Sequence, residues 1–328
     1  MSDKNIPMDP PGRTKSHDGK VRRIGVEIEF AALAADAAAE LVKKVYGGTI
    51  EQLDAHRFLI RDTEFGDFEC ELDTQYAHKK DASDSDGRET IERFEAAVRE
   101  WIGHLSGVIV PSEIVGPPID LFDLPSMDRI AEALRLSGAE GTDDNPLYAF
   151  GMQLNPEVAS IDAGYLVAML RAYLLCSDWL RAEIQVDPLR RILAYANPFP
   201  ENYVAQVCDP DYWPDRRKFI QDYLEENPTR NRELDMLPLF TWLDEDRVRA
   251  VVDDPRVKSR PTFHYRLPDA RLSDPNWSIV REWNRWAAIE RLAEDSERLH
   301  AMAQAFTDQF AQGKRKDWAN VSRRWIES

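Results

Sequence analysis

Two glutamates alternate with apolar residues in the stretch GVEIEF, residues 25–30. Side chains two positions apart lie on the same side of a strand, so Glu27 and Glu29 share one face, roughly 7 Å apart. Two carboxylates at this spacing suit a divalent metal ion. They also suit water, because a half-buried antiparallel strand has a wet outer face. The stretch alone leaves both interpretations open.

The same alternation recurs in other predicted strands, and this recurrence is the stronger signal. Polar and apolar residues alternate in FECELD (68–73), FGMQLNP (150–156) and PTFHYRL (261–267), while PSEIVGPP (111–118) adds a glutamate beside an apolar strand end. Stacked in one sheet, these strands form a polar trough that holds Glu27, Glu29, Glu71, Glu113, Gln153, Asn155 and His264.

Several carboxylates in one trough repel each other, so some must take up a proton or a metal must bind. Oxygen ligands with one imidazole favour Mg²⁺ or Mn²⁺ over zinc. The amides of Gln153 and Asn155 are cofactor-binding candidates because they offer neutral oxygen ligands. A solvated sheet face with His264 at its rim is the alternative. The metal candidates are Glu27, Glu29, Glu71, Glu113 and His264.

A phosphate site needs positively charged side chains as well as metal ions, and several arginines could supply them. Arg266 shares the face of His264, Arg260 lies just upstream, and the loop NPTRNRELD contains Arg230 and Arg232. A guanidinium donates two parallel hydrogen bonds to phosphate oxygens, which complements metals that bridge the same phosphates. Taken singly, each arginine is typical of a surface ion pair. The sequence contains no GxxxxGK[ST] or GxGxxG loop, so metals and arginines would have to hold any nucleotide.

These side chains require a sheet to carry them and helices to cover its other face. Predicted strands are interleaved with helices such as DAAAELVKKVYGG, RETIERFEAAVREWIGHLSG and the apolar DAGYLVAMLRAYLLCSDWLRAEI, and further helices follow from about residue 277. The proline-rich segment 197–240 is predicted to be irregular, a lid or a substrate wall. Antiparallel strands with interleaved helices indicate the α+β class.

Composition restricts the partners and the compartment. A formal charge of −17 disfavours nucleic acid and anionic membranes. The 3 cysteines show no CxxC spacing, which indicates a reducing compartment, and no apolar stretch is long enough for a membrane span. We therefore expect a cytoplasmic protein with a mobile tail over residues 1–20 and a single domain over residues 21–328.

In chain order, GVEIEF, FECELD, VPSEIVGPP, FGMQLNPE and RPTFHYRLP resemble the motifs of the amidoligases, which are carboxylate–amine ligases of the glutamine synthetase and glutamate–cysteine ligase superfamily. The resemblance extends from about residue 21 to about residue 294. It implies a curved, mainly antiparallel sheet whose trough is the active site. It also implies an ATP- and Mg²⁺- or Mn²⁺-dependent ligase, in which the γ-phosphoryl group moves to a carboxylate and an amine attacks the acyl phosphate.

The family pattern assigns roles to individual residues. Glu27 and Glu29 would bind divalent ions, with Glu29 also catalytic, and Glu71 and Glu113 would be further carboxylate candidates. Arg266 would contact the transferred phosphate as a catalytic residue. The expected substrates are a small-molecule or peptide carboxylate and an amine, and a glutamine amidotransferase or a second ligase of the same pathway is an expected partner.

Two departures from the family pattern leave alternatives open. Gln153 and Asn155 stand where an H-x-H pair is usual, and His264 replaces the glutamate of E-x-R. These replacements could preserve the metal site with altered ligands. They could instead abolish metal binding, and the ligase activity would then be lost as well. The alternatives are a non-catalytic scaffold of the same fold, which binds a nucleotide or a partner, and an ATP-dependent phosphotransferase.

Overall fold

The computed structural model describes residues 6–72, 111–145, 148, 150–186, 196–311 and 317–327. The strands are β1 (Arg23–Phe30), β2 (Thr49–Asp54), β3 (Arg57–Thr63), β4 (Gly66–Leu72), β5 (Ser112–Val115), β6 (Ile119–Asp120), β7 (Met152–Pro156), β8 (Leu234–Asp235) and β9 (His264–Tyr265). The helices are α1 (Ala35–Tyr46), α2 (Asp128–Leu136), α3 (Ala163–Ile184), α4 (Glu201–Cys208), α5 (Arg216–Glu226), α6 (Leu237–Leu243), α7 (Glu245–Arg249), α8 (Ile279–Glu294), α9 (Ser296–Ala311) and α10 (Trp318–Glu327).

The strands of the described residues form one 9-stranded sheet in the order β2-β3-β4-β5-β1-β7-β9-β8, and β6 also pairs with β1. Each of these pairs is antiparallel. β1 lies at the centre, between β5 and β7, so the GVEIEF stretch contacts strands from two distant parts of the chain. The α+β class and the antiparallel pairing predicted from the sequence are confirmed.

Helices cover the apolar face of the sheet. The apolar side chains of β1, including Ile24 and Phe30, are buried, as their alternation with the glutamates predicts. Tyr46 of α1 stacks on Phe68 of β4 with 5.2 Å between ring centroids. Helix α3 packs against α4, α8, α9 and α10. Because neighbours surround it, α3 is apolar on most sides. None of the described helices is both long and apolar enough to cross a membrane.

Two local predictions are wrong. Segment 197–240 is not irregular, because it contains α4, α5, α6 and β8. Two of its prolines lie where a missing N–H does no harm: Pro200 comes directly before α4, and Pro238 lies in the first turn of α6. The predicted last strand is reduced to the two residues of β9. The predicted helix over 88–107 and the loop before it lie outside the described residues.

Residues 7–13 lie against α8. The backbone N–H of Gly12 donates to Glu290 at 3.1 Å, and the guanidinium of Arg13 pairs with Glu294 at 2.8 Å. A polar, proline-bearing composition, from which a mobile tail is predicted, contains no signal for these contacts. The partner glutamates belong to a helix at the other end of the chain.

Candidate active site

An acidic row crosses three neighbouring strands of the sheet. Glu113 of β5 lies directly opposite Glu29 of β1 on one side and Glu71 of β4 on the other. Residues that face each other in this way point to the same side of the sheet. Glu29 and Glu113 are each only 6% exposed, whereas Glu71 lies near solvent. The structure therefore brings together three of the predicted metal ligands, which we call the acidic row.

Hydrogen bonds fix the carboxylates of β1. Glu29 accepts from the backbone N–H of Gly151 at 2.7 Å and from the side-chain amide of Gln153 at 3.1 Å. Glu27 accepts from the amide of Asn155 at 2.9 Å and lies 3.7 Å from the guanidinium of Arg260. Both amides therefore present their nitrogen to a carboxylate and their oxygen to the opposite side.

Gln153 connects the acidic row to His264. Its amide nitrogen donates to Glu29, so its oxygen must be the acceptor in the 2.5 Å contact with Nε2 of His264. This network assigns the proton of the neutral imidazole to Nε2, which leaves a lone pair on Nδ1. Nδ1 lies 3.5 Å from the carboxylate of Asp235 and makes no hydrogen bond within the described residues.

Three arginines face this imidazole, and we call Arg230, Arg260 and Arg266 the arginine group. Burial lowers the pKa of His264 well below its usual value, and the positive charges of the arginine group lower it further. The ring is therefore neutral at pH 7. Burial also raises the pKa of Asp235 to about 6, although the same arginines oppose the rise.

The arginine group itself holds like charges close together. Burial and the neighbouring Arg266 lower the pKa of Arg230, and Arg266 is only 3% exposed. One guanidinium nitrogen of Arg266 lies 3.4 Å from the backbone oxygen of Arg230. Buried cations are costly to place side by side without an anion. The arrangement suits a phosphate or a carboxylate between the guanidinium groups.

Arg232 lies apart from this group. Its guanidinium donates to the backbone oxygens of Pro198 at 2.6 Å and Glu226 at 3.3 Å, and it lies over the ring of Phe199. These contacts connect the segment before α4 to the last residue of α5. Sequence reasoning also missed Asp235, whose only signal is the alternation in ELDML, residues 233–237.

The donor chemistry of the acidic row fits magnesium, but the geometry is not that of a closed cage. Within the described ranges, no three His, Cys, Asp or Glu side chains come close enough to hold a metal ion. Mg²⁺ usually binds one or two carboxylates and takes its other ligands from water and from substrate phosphates. The row therefore fits an ion that arrives with phosphates.

Comparison with known proteins identifies the family. The family model described as "Putative amidoligase enzyme" matches residues 20–288. No curated protein and no solved structure matches the chain. The matched range begins just before β1 and ends within α8, so it includes the acidic row and the arginine group. It covers most of the 328 residues, and the resemblance seen in the motifs is confirmed. The chain belongs to the amidoligase family, which indicates an amide-forming ligase.

Proposed function

We propose that this chain is an ATP-dependent ligase that joins a carboxylate to an amine through an acyl phosphate. One observation carries the proposal: a single face of the sheet holds the acidic row on one side and the arginine group on the other. Hydrogen bonds through Gln153 connect Glu29 of the acidic row to His264, and the charges of the arginine group face that imidazole. A cation and an anionic phosphate chain need these two kinds of surface side by side.

The acidic row would hold Mg²⁺ or Mn²⁺, with Glu29 and Glu113 as the buried ligands and Glu71 at the exposed end. When bound, the ion neutralises charge on the phosphates. Glu29 is oriented for this task by the N–H of Gly151 and the amide of Gln153. A ligand that is fixed in advance loses little entropy on binding. Glu27 lies beside the row as a further carboxylate.

The arginine group would hold the phosphoryl group during its transfer. An oxygen of the substrate carboxylate attacks the γ-phosphorus, the bond to the β–γ bridging oxygen breaks, and ADP leaves with that electron pair. The amine nitrogen then attacks the acyl carbon, phosphate leaves, and the nitrogen loses a proton. Guanidinium groups placed beforehand stabilise the charge that spreads over the phosphoryl oxygens. Arg266, the most buried of the three, would make the closest contact.

The proposal is tested with ¹⁸O-labelled carboxylates. A panel of amino acids, dipeptides and dicarboxylates is incubated with ATP, Mg²⁺ and hydroxylamine as the amine. We expect a hydroxamate, one ADP for each hydroxamate, and ¹⁸O in the released phosphate, because the carboxylate oxygen leaves with it. ATP consumption without a need for any amine would favour phosphotransfer instead. Nucleotide binding without turnover over the whole panel would favour a scaffold.

A further inference from the structure

Two hydrogen-bond acceptors are buried beside the arginine group without a donor among the described residues. They are Oδ1 of Asn155 and Nδ1 of His264. Both residues are only 3% exposed. A buried acceptor that lacks a donor costs free energy, which a ligand recovers when it donates a hydrogen bond there.

The network around the two side chains establishes that both atoms accept. The amide nitrogen of Asn155 donates to Glu27, so Oδ1 is the other end of that amide. Nε2 of His264 donates to Gln153, so Nδ1 carries the lone pair. Leu154 pairs with Tyr265, and this register makes Asn155 and His264 neighbours on the same face of β7 and β9.

We infer that Asn155 and His264 form the subsite for the amine substrate, each accepting one N–H of a neutral primary amine. The inference rests on the proposed ligase function. A neutral primary amine has two N–H donors for these two acceptors, and its lone pair stays available for attack on the acyl carbon. The arginine group would hold the acyl phosphate next to it.

Charge favours this ligand over a cation. Asp235, 3.5 Å from Nδ1, is the nearest carboxylate to the ring, and the arginine group brings three positive charges to the same place. Glu27, which accepts from the amide of Asn155, is the second carboxylate at the subsite. Three guanidinium groups against two carboxylates leave a net positive charge, which disfavours an ammonium ion or a divalent metal here. The positive charge therefore selects the neutral amine, which is also the nucleophilic form.

The test is nitrogen NMR of the full chain labelled with ¹⁵N-histidine. The probe is methoxyamine, which is neutral at pH 7 and has two N–H donors. N,N,O-trimethylhydroxylamine has a similar shape without an N–H and is the matched compound. We expect methoxyamine to move the Nδ1 resonance of His264 to that of a hydrogen-bonded nitrogen and the matched compound to leave it unchanged. Loss of the resonance in His264→Phe gives the assignment.

Two further variants separate binding from folding. Asn155→Ala keeps the imidazole and removes the other acceptor, so methoxyamine should bind about tenfold more weakly. Tyr203→Phe removes a hydroxyl that is also buried without a partner in the described residues, but within the helical core. Its methoxyamine affinity should equal that of the wild type. Equal affinity in all three proteins would overturn the subsite.

The outcomes are distinguishable from those of the ligase assay. A shift of Nδ1 by Mg²⁺ alone, without a response to methoxyamine, would make this a metal site and overturn the inference. Lack of response to either probe would overturn it as well. A response to methoxyamine in a protein that never consumes ATP would support the amine subsite while the ligase function fails.

Discussion

Glu29 of β1 lies directly opposite Glu113 of β5, and both carboxyl groups are buried. Like charges that face each other across an antiparallel pair destabilise it. When both groups are ionised, the sheet holds this pair at a cost in folding free energy, which a bound cation would offset. Catalytic sites often keep such destabilising arrangements because the ligand restores the balance.

Replacing Glu113 by Gln removes one of the two opposed charges and keeps the size of the side chain. In the presence of a chelator, we expect the free energy of unfolding to rise by about 1 kcal/mol or less, since the repulsion is gone. The stabilisation that Mg²⁺–ATP gives the wild type should shrink. Urea unfolding in both buffers measures the two effects. Glu69→Gln is the control, because Glu69 faces Val115 instead of a carboxylate. An undiminished response of Glu113→Gln to Mg²⁺–ATP would contradict the assignment.

Arg266→Lys keeps the positive charge but loses the planar pair of donors. We expect ATP turnover to fall by about a hundredfold, the usual effect of losing a donor to a transition state, with little change in stability. Arg232→Lys should behave in the opposite way, because the Arg232 guanidinium holds the backbone oxygens of Pro198 and Glu226. It should lose stability and keep its turnover per folded molecule. ADP release and thermal unfolding are measured for both variants and for the wild type. If Arg266→Lys turns over ATP as fast as the wild type, Arg266 is not part of the site.

Two arginines of the N-terminal region pair with glutamates one turn apart on α8. Arg22 donates two hydrogen bonds to Glu290, with both side chains almost fully buried, whereas the Arg13–Glu294 pair is partly exposed. Arg22→Met leaves a buried carboxylate without its cation and should lower the free energy of unfolding by about 3–5 kcal/mol. Arg13→Met should lower it by less than about 1 kcal/mol. Urea unfolding measures the free energy of unfolding of both variants. If the two variants lose equal amounts, burial does not determine how strongly each arginine holds the N-terminal region to α8.

The buried carboxyl group of Asp128 is expected to make the protein less stable as pH rises. It accepts the backbone N–H of Ile279 at 2.6 Å, and burial raises its pKa from 3.8 to about 6. The folded state therefore binds this proton more tightly than the unfolded state does, and stability falls as pH rises through the window from about 4 to about 6. Asp128→Asn keeps the acceptor for Ile279 but does not titrate. Relative to that variant, the wild type should lose up to about 3 kcal/mol between pH 4 and pH 7.

Urea unfolding of the two proteins at several pH values gives this difference directly. Asp123→Asn, at an exposed position of the preceding 3-10 helix, controls for the loss of one negative charge. If the curves of the wild type and of Asp128→Asn stay parallel from pH 4 to pH 7, Asp128 does not carry its proton to higher pH in the folded state.

Alternation was enough to predict the polar face, because a period of two fixes the side of a strand on which each residue lies. Glu29, Glu113 and Gln153 come together for this reason, although they belong to distant parts of the chain. Arg232 and Arg266 look alike in the sequence, yet one holds backbone oxygens and the other lies beside His264. Which guanidinium reaches the face depends on tertiary packing, which local spacing does not encode.

The contacts of Asp235 and of the N-terminal residues could not be predicted from the sequence for a similar reason. Asp235 lies in a strand of two residues, where the brief alternation in ELDML is a weak signal, and it faces His264 only because β8 and β9 pair. The N-terminal residues are polar, and polarity is the usual mark of a free tail. Here Gly12 and Arg22 donate hydrogen bonds to Glu290, a buried acidic residue of α8. The sequence of the N-terminal region alone contains no information about this distant partner.

The central position of β1 also matters while the protein is being made. β1 spans residues 23–30, but its partners in the sheet are residues 112–115, 119–120 and 152–156. On the ribosome, a strand containing Ile24, Val26, Ile28 and Phe30 must wait for those partners, and an unpaired apolar strand invites aggregation. Glu27 and Glu29, set between these apolar residues, place negative charges in the unpaired strand, and charges of this kind oppose aggregation. A glutamine at either position would therefore lower the yield of soluble protein during synthesis, even where the finished fold tolerates it.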